Sequence, residues 1–347
     1  MLLAEWMPVK NYRQKLTQLD KNGTALVDEN GRKKTRRTIA NYLRKTCIVA
    51  LLGLPTLSVS VMASEDPPGD VRSAISLDEI ALQLSNPATV LGSIANDFEF
   101  RPFQGDLPGS DDQSAWRYVL TPSWAFKLSN GKNLFLRATI PLNADQPLWR
   151  ADRDYAEFLI RQSPAITPSF GRFITGHDHM ADIEFLIGYG GVNENGLSTA
   201  LGLATVVPTS EDQSTSRELV LLGPEFSLGQ VTRWGLIGAK AKHLTSVARE
   251  DQWATNDTTV KIFFAYGLGN GWQIESNPII YYDWEAVSGN KWTVPIGAGV
   301  SKTMMVGSVP LKLAFEIQKY VVTPDRFGPE WLLRFSLTPV LSTRLLR

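Results

Sequence analysis

Large apolar and polar residues alternate along many segments of this chain, and no other feature of the sequence limits the fold as strongly. The segments Trp331-Leu-Leu-Arg-Phe-Ser-Leu-Thr-Pro339 and Pro310-Leu-Lys-Leu-Ala-Phe-Glu-Ile-Gln318 both show it. Successive side chains of a β-strand point to opposite faces, so each segment has one apolar and one polar face. A soluble protein buries the apolar face, whereas an exported chain with about a dozen such strands can close into a barrel, apolar outside and polar inside.

The N-terminal region has the organisation of an export signal. A basic cluster over 33–45 precedes an apolar stretch over 48–59, and Val61-Met62-Ala63 places small residues before a cleavage site at Ser64. An uncleaved membrane anchor is the alternative interpretation of the same stretch. The predicted segments are a disordered extension or misassigned start (1–32), a signal peptide (33–63), a linker and short amphipathic helix (64–87) and an outer-membrane β-barrel (88–347).

Charge and cysteine content exclude several classes of function. The whole chain holds 35 basic and 35 acidic residues, but residues 1–63 contain 11 basic and 4 acidic ones, which leaves 24 and 31 and a charge of −7 on the mature part. An acidic chain without a basic stripe argues against a nucleic-acid partner. The single cysteine, Cys47, precedes the predicted cleavage site, so disulfides and cysteine-based zinc sites are excluded from the mature chain.

Twelve segments after residue 88 have the strand pattern, and tight turns alternate with longer loops between them. The predicted strands are 91–102, 115–128, 132–142, 179–191, 196–208, 217–228, 232–247, 257–269, 271–286, 290–302, 309–322 and 330–342. The predicted tight turns are 129–132, 193–196, 229–232, 269–271 and 306–308, several of them with Asn-Gly or Gly-rich sequences that suit hairpins. Short periplasmic turns and long external loops are typical of membrane barrels. The sequence therefore predicts an all-β fold, a transmembrane antiparallel barrel of about twelve strands.

A short amphipathic helix precedes the first strand. Ser76 and Glu79 have the spacing of a capping box, an apolar stripe follows on one face, and Asn86-Pro87 ends the helix. The helix can lie on the periplasmic rim of the barrel or enter the lumen as a plug, and the pattern leaves both arrangements open.

Tryptophans near the strand ends are a second indication of a membrane barrel. Because Trp and Tyr concentrate at membrane–water interfaces, we expect one belt at the external end and one at the periplasmic end. The external belt would contain Trp116, Trp284, Trp292 and Trp331, and the periplasmic belt Trp124, Trp234 and Trp272. The alternative is that these are core aromatics of a soluble periplasmic sandwich.

Several of these stretches resemble a family of bacterial outer-membrane barrels described as transporters, as meta-pathway phenol-degradation proteins or as neuromedin-like. The most specific are Tyr282-Asp-Trp-Glu-Ala286, Lys291-Trp-Thr-Val-Pro-Ile-Gly-Ala-Gly-Val-Ser-Lys302 and Gly328-Pro-Glu-Trp-Leu-Leu-Arg-Phe335, with Gln83-Leu-Ser-Asn-Pro87 after the helix. The resemblance covers roughly 77–340 and implies passage of small aromatic or hydrophobic molecules, with no catalytic residues. The chain departs from such barrels by continuing from Ser342 to Arg347 instead of ending in an aromatic residue.

The alternation also predicts which charged side chains face the lumen. We expect opposite charges to pair across a narrow barrel interior, where they fill the barrel, set which solutes cross, or do both. The predicted pore-lining residues are Arg117, Arg137, Glu275, Glu285, Glu316 and Arg334. No cofactor or metal is implied. The expected partners are outer-membrane lipid, a small solute and the barrel assembly machinery.

Passage of a small solute is the predicted function, with a lipid or peptide hydrolase and a structural or adhesive barrel as alternatives. A hydrolase needs a nucleophile and a base held together, and His243 with Ser227 or Ser246 are the candidates. The pairs Asp182-x-Glu184 and Asp97-x-Glu99 could each form a carboxylate dyad or line the lumen. His177-Asp178-His179 lacks the spacing of a zinc site.

Overall fold

A computed structural model shows a closed antiparallel barrel of twelve strands, which confirms the predicted fold class. The structure describes residues 76–89, 91–151, 171–210, 219–247 and 255–341. The strands are β1 (Ser93–Gln104), β2 (Ser114–Lys127), β3 (Asn133–Ala151), β4 (Gly171–Met180 and Ile183–Val192), β5 (Leu197–Val207), β6 (Leu221–Val231), β7 (Gly235–Ser246), β8 (Asn256–Gly269), β9 (Trp272–Ser276 and Ile279–Asp283), β10 (Trp292–Val306), β11 (Val309–Val322) and β12 (Gly328–Pro329 and Trp331–Pro339). Each strand pairs with its sequence neighbours, and β12 closes the barrel by pairing with β1 from Phe100↔Leu333 to Asn96↔Leu337.

The predicted alternation of turns and loops is present, so the barrel has a turn end and a loop end. At the turn end, β8 and β9 are joined by Asn270-Gly271, whose φ angles are 53° and 77°. Both angles lie in the left-handed region that a two-residue hairpin of this type requires, and Asn-Gly is its preferred sequence. At the loop end, the connection from β1 to β2 contains a short 3₁₀ helix, Ser110–Asp112.

Two predicted connections are wrong. The predicted tight turn 229–232 lies partly within β6, because Gly229 pairs with Gly238 of β7, and the chain turns instead between Thr232 and Gly235. The segment 143–178, which the predicted strands 132–142 and 179–191 leave as a loop, is strand at both of its described ends, since β3 continues to Ala151 and β4 begins at Gly171. The sequence does not predict this extension, because a bulge near Asp145, where φ is 54°, interrupts the alternation of apolar and polar residues.

The predicted ninth strand, 271–286, is interrupted and ends earlier than the alternation indicates. Pro278 has no N–H to donate to a neighbouring strand. The N–H of Asn277 leaves the sheet and donates to Glu316 Oε1 inside the barrel at 2.7 Å. Pairing resumes at Ile279 and β9 ends at Asp283, so Trp284 and Glu285 lie in the following turn.

Large apolar side chains cover the outside of the barrel, which excludes the soluble-sandwich alternative. Leu201 is 61% exposed, and Phe226 and Ile187 are 49% and 48% exposed on neighbouring strands. Contiguous apolar surface of this extent needs lipid around it. Within the ranges that the structure describes, no helix has the length and apolar character needed to cross a membrane.

Helix α1, Leu77–Ser85, confirms the predicted helix and its cap. Ser76 Oγ accepts a hydrogen bond from the Glu79 N–H at 3.1 Å, which satisfies one of the free donors at the helix start. The Glu79 side chain bonds Gln83 at 2.9 Å rather than returning to Ser76, so only half of the predicted capping box forms. Ile80 and Ala81 are buried on its apolar face.

α1 and the residues after it cross the opening at the turn end of the barrel. Asp78 Oδ1 accepts from the Gly271 N–H at 2.5 Å. Ser85 Oγ bonds Lys312 Nζ at 2.9 Å, and Asn86 Oδ1 accepts from Ser198 Oγ at 2.9 Å on the opposite wall. The bonds to Lys312 and Ser198 reach inward-facing residues of β11 and β5. Of the two predicted arrangements, the structure therefore shows the plug.

The outward face of β5 gives a test of the barrel in lipid. A charge near the middle of a lipid-facing strand costs about 2–4 kcal/mol of unfolding free energy, whereas one near the interface costs about 0–1 kcal/mol. We therefore expect Leu201→Arg to destabilise the refolded protein by the larger amount and Leu197→Arg, at the strand start, by the smaller. Urea unfolding in lipid vesicles, followed by tryptophan fluorescence, measures both. Equal losses for the two variants would contradict the orientation of β5 in the membrane.

Candidate functional site: the barrel lumen

Inward-facing residues of all walls make the lumen polar and crowded, as the strand alternation predicts. Charged side chains are almost never buried singly, and here they are buried in groups, because strand alternation sends half of the side chains into the barrel interior. The buried charged residues include Glu99, Arg101, Arg117, Asp182, Glu225, Asp257, Glu275, Asp283, Lys312 and Glu316.

The first group, which we call the Glu99 network, joins β1, β11 and β12. Glu99 accepts from Arg101 Nη2 at 2.6 Å and from Arg334 Nε at 2.9 Å, and Arg334 Nη1 also reaches Glu316 Oε2 at 3.1 Å. Arg117 stands beside Glu99 as its direct partner on β2. Each carboxylate thus meets a guanidinium, which is the arrangement that offsets the cost of burying ions.

The second group lies at the turn end, against the plug. Lys312 Nζ contacts Glu275 Oε2 at 3.0 Å, Gln273 Oε1 at 3.2 Å and Ser85 Oγ at 2.9 Å. One ammonium therefore uses its three donors to join β9, β11 and α1. The plug is attached to the lumen by a charge-assisted contact as well as by neutral hydrogen bonds.

The third group joins β3, β4, β6 and β7 in the middle of the barrel. Glu225 lies 3.2 Å from Lys240 Nζ and 3.9 Å from Arg137 Nη1. Lys242 Nζ bonds both oxygens of Glu184 at 2.7 Å.

An apolar cluster shares the inner wall with this third group. Its buried members come from β3–β7 and from the segment after α1; they are Ala88, Phe135, Leu186, Ala200, Ala204, Val206, Leu221 and Leu244. Gly188 leaves the space for Phe135, because a Cβ at that position would stand 2.1 Å from the ring. The inner surface therefore offers an apolar wall next to charged groups rather than a uniform polar lining.

Five of the six predicted lining residues lie on inward faces of strands. Arg117, Glu316 and Arg334 belong to the Glu99 network, Glu275 to the turn-end group and Arg137 to the third group. The placement of Glu285 on the inward face of β9 is wrong, because β9 ends at Asp283 and Glu285 is exposed in the turn that follows. The role of the other five in solute passage stays a prediction.

Three inward charges of the third group, Glu225, Lys240 and Lys242, are absent from the predicted set. On β7 the outward residues Ala239 and Ala241 are small, so the strand lacks the large apolar face that marks its outside. The sequence feature that indicates an inward face here is Lys240-Ala-Lys242, in which two charged residues alternate with an alanine.

The candidate hydrolase residues lie on opposite faces of the barrel wall. His243 is on the outward face of β7, where Nδ1 contacts Thr258 Oγ1 at 2.9 Å, while Ser227 and Ser246 are buried on inward faces. The two proposed carboxylate dyads are also separated: Asp182 accepts from the Ser210 N–H and Glu184 pairs with Lys242. Asp97 accepts from Ser336 Oγ, while Glu99 meets two arginines.

No metal site is found in the part of the chain that the structure describes. The side chains of His177, Asp178 and His179 lie outside the described residues.

No protein-family model and no curated protein matches this chain. Among solved structures, an outer-membrane channel from Pseudomonas putida F1 is similar over 80% of this chain and 100% of its own, with a TM-score of 0.50 and 10% identity. The NanC porin is similar over 72% and 99%, with a TM-score of 0.41 and 10% identity. Outer-membrane phospholipase A from Escherichia coli follows over 78% and 99%, with a TM-score of 0.34 and 12% identity.

The chain has the fold of an outer-membrane barrel. The first similarity shows this fold, and the closed sheet with an apolar outer face agrees with it. Such barrels lie in bacterial outer membranes, so the predicted location is confirmed. At the level of the fold, the resemblance to outer-membrane transporter barrels is confirmed as well.

The Glu99 network predicts a strong dependence of stability on Arg334. Arg334→Met leaves two buried carboxylates with fewer partners, and breaking such a contact costs about 3–5 kcal/mol. The matched control is Lys319→Met, since Lys319 pairs with Glu330 at 2.7 Å on the outer rim, where both side chains are about one-third exposed; such exposed pairs contribute about 0–1 kcal/mol. Urea unfolding in vesicles measures both, and equal losses would contradict the structural role of the network.

Proposed function

We propose that this barrel mediates passive passage of small solutes of aromatic or hydrophobic character across the outer membrane. The observation that carries the proposal is the composite lumen, in which the apolar cluster around Phe135 and Leu186 adjoins the charged third group. Ion pairs alone would suffice to fill a rigid barrel. An apolar wall beside them gives the hydrophobic part of a solute a surface to contact. The fold shared with an outer-membrane channel supports the same function.

The plug sets a condition for passage. Ala88 packs on the apolar cluster, and Asn86 bonds Ser198, so the segment after α1 covers the turn-end part of the proposed route. None of these contacts belongs to the pairing of β12 with β1, so displacement of the segment would leave the closure of the sheet intact. Solute transfer would then require displacement of the plug segment rather than any energy source or cofactor.

Uptake into proteoliposomes tests the proposed function. The refolded mature protein is reconstituted and exposed to benzyl alcohol, benzoate, arabinose and a disaccharide, with empty liposomes as the reference. We expect entry of the small aromatic solutes above the empty-liposome rate and little entry of the disaccharide. The absence of protein-dependent uptake for every solute would refute the proposal.

Removal of the plug contacts should accelerate passage. We expect a variant lacking residues 76–87 to raise uptake several-fold, because the segment that crosses the turn-end opening is gone. Asn130→Ala serves as a control of similar location, since Asn130 lies in an exposed turn and bonds Tyr189 and the Lys132 N–H rather than the plug. Resistance of the unheated barrel to SDS confirms folding of each variant, and an unchanged rate in the folded deletion variant would contradict the plug.

We also infer that the barrel is not a hydrolase built on His243. Its ring points outward, and neither candidate serine shares its face of the wall. An assay against phospholipid and peptide substrates tests this inference, and activity that disappears in His243→Ala would overturn it. The partners required by the proposed function are outer-membrane lipid, the solute and the assembly machinery, and no nucleic acid.

A further inference from the structure

Three cations meet in the middle of the lumen with too few carboxylates around them. Lys240 of β7 and Lys261 of β8 are direct cross-strand partners, and both face inward. Arg137 reaches the same region from β3 and acts electrostatically on both lysines. Like charges placed directly opposite each other destabilise a sheet, so this cluster has a cost that the Glu99 network avoids.

The available counter-charges are already engaged. Glu225 is shared between Lys240 and Arg137, and Glu184 is held by Lys242 through both oxygens. Among the described residues, Lys261 has no hydrogen-bond or ion-pair partner. The carboxylates that attract it over a longer distance are bonded elsewhere: Glu316 to Arg334 and Asp97 to Ser336. Arg137, Lys240 and Lys242 thus share Glu184 and Glu225 as ion-pair partners, and Lys261 is attracted by Glu316 and Asp97 only over a longer distance.

The cation cluster borders the apolar wall. Arg137 is the direct cross-strand partner of Leu186, which in turn pairs with Ala204 on β5. Phe135 lies two residues before Arg137 on the same inward face of β3, and its side chain is 7% exposed. A solute at this point would therefore meet positive charge and apolar surface at once.

We propose that Arg137, Lys240 and Lys261 form a transient binding site for the carboxylate of a small monocarboxylic acid whose apolar body contacts Phe135 and Leu186. This inference rests on the proposed function and adds the charge of the solute to it. An anion placed between the three cations lowers their mutual repulsion, and arginine and lysine are the side chains that bind carboxylates most strongly. Passage then requires contacts strong enough for the anion to enter yet weak enough for it to leave.

The charge preference can be measured without any variant. The full mature protein is reconstituted in planar bilayers under a KCl gradient, and the reversal potential reports whether chloride or potassium crosses more easily. Uptake of benzoate is compared in parallel with uptake of the neutral, similarly sized benzamide. We expect an anion-selective reversal potential and a benzoate rate above the benzamide rate. A cation-selective potential, or a faster benzamide rate, overturns the site.

Lys261→Gln then removes one charge while keeping a long polar side chain. If the lost interaction is worth about 1 kcal/mol, the benzoate-to-benzamide ratio falls about fivefold, since every 1.4 kcal/mol is a factor of ten. Lys261→Arg should retain the ratio. Lys319→Gln, on the outer face, is the matched control and should leave it unchanged. An unchanged ratio in Lys261→Gln overturns the site, even where the channel conducts.

The two proposals fail in different ways. Conductance and uptake without charge preference would leave passage in place and remove the anion site. The absence of both conductance and uptake for every solute, in the plug-deleted variant as well, would remove the proposed function together with the site.

Discussion

The absence of water from the lipid core is the constraint on which this structure depends. Every backbone N–H and C=O that crosses the membrane must be bonded within the protein, and a strand can meet that demand only in a closed sheet. The pairing of β12 with β1 supplies the closure, and Phe100↔Leu333 to Asn96↔Leu337 leave no free edge there. Once the sheet is closed, strand alternation sends half of the side chains into a narrow space.

That narrow space determines the character of the lumen. Charges enter it because the outside must be apolar, and they are tolerated where opposite charges meet, as Glu99 does with Arg101 and Arg334. Side-chain volumes are also matched inside the barrel, since the absence of a side chain at Gly188 leaves room for the ring of Phe135. The contact between the third group and β8 departs from this balance of charge, because Lys240 and Lys261 are direct cross-strand partners. The proposed anion site would restore that balance when a carboxylate is bound.

Much of the lumen could be predicted from alternation alone, and the exceptions have identifiable causes. The prediction is correct where each inward charge stands between two large apolar residues that point outward. This is the case for Arg117, Glu316 and Arg334. The inward placement of Glu285 is wrong because the alternation of residue types continues beyond Asp283, where the chain leaves the sheet. Alternation does not identify Lys240 as inward-facing, because its outward neighbours on β7 are alanines rather than large apolar residues. Local sequence patterns do not show where the pairing of a strand ends, since that pairing depends on another strand that is distant in sequence.

The sequence by itself determined the class of fold, the number of strands, the helix over Leu77–Ser85 and the face on which most charges lie, because each depends on residue types two to four positions apart. Only the tertiary structure decided which charges pair, that α1 crosses the turn-end opening, and that His243 and Ser227 lie on opposite faces of the barrel wall. These features are contacts across the barrel or between strands, and their geometry is set by closure and register. A one-residue change of register would reverse every face, so no local pattern can specify them.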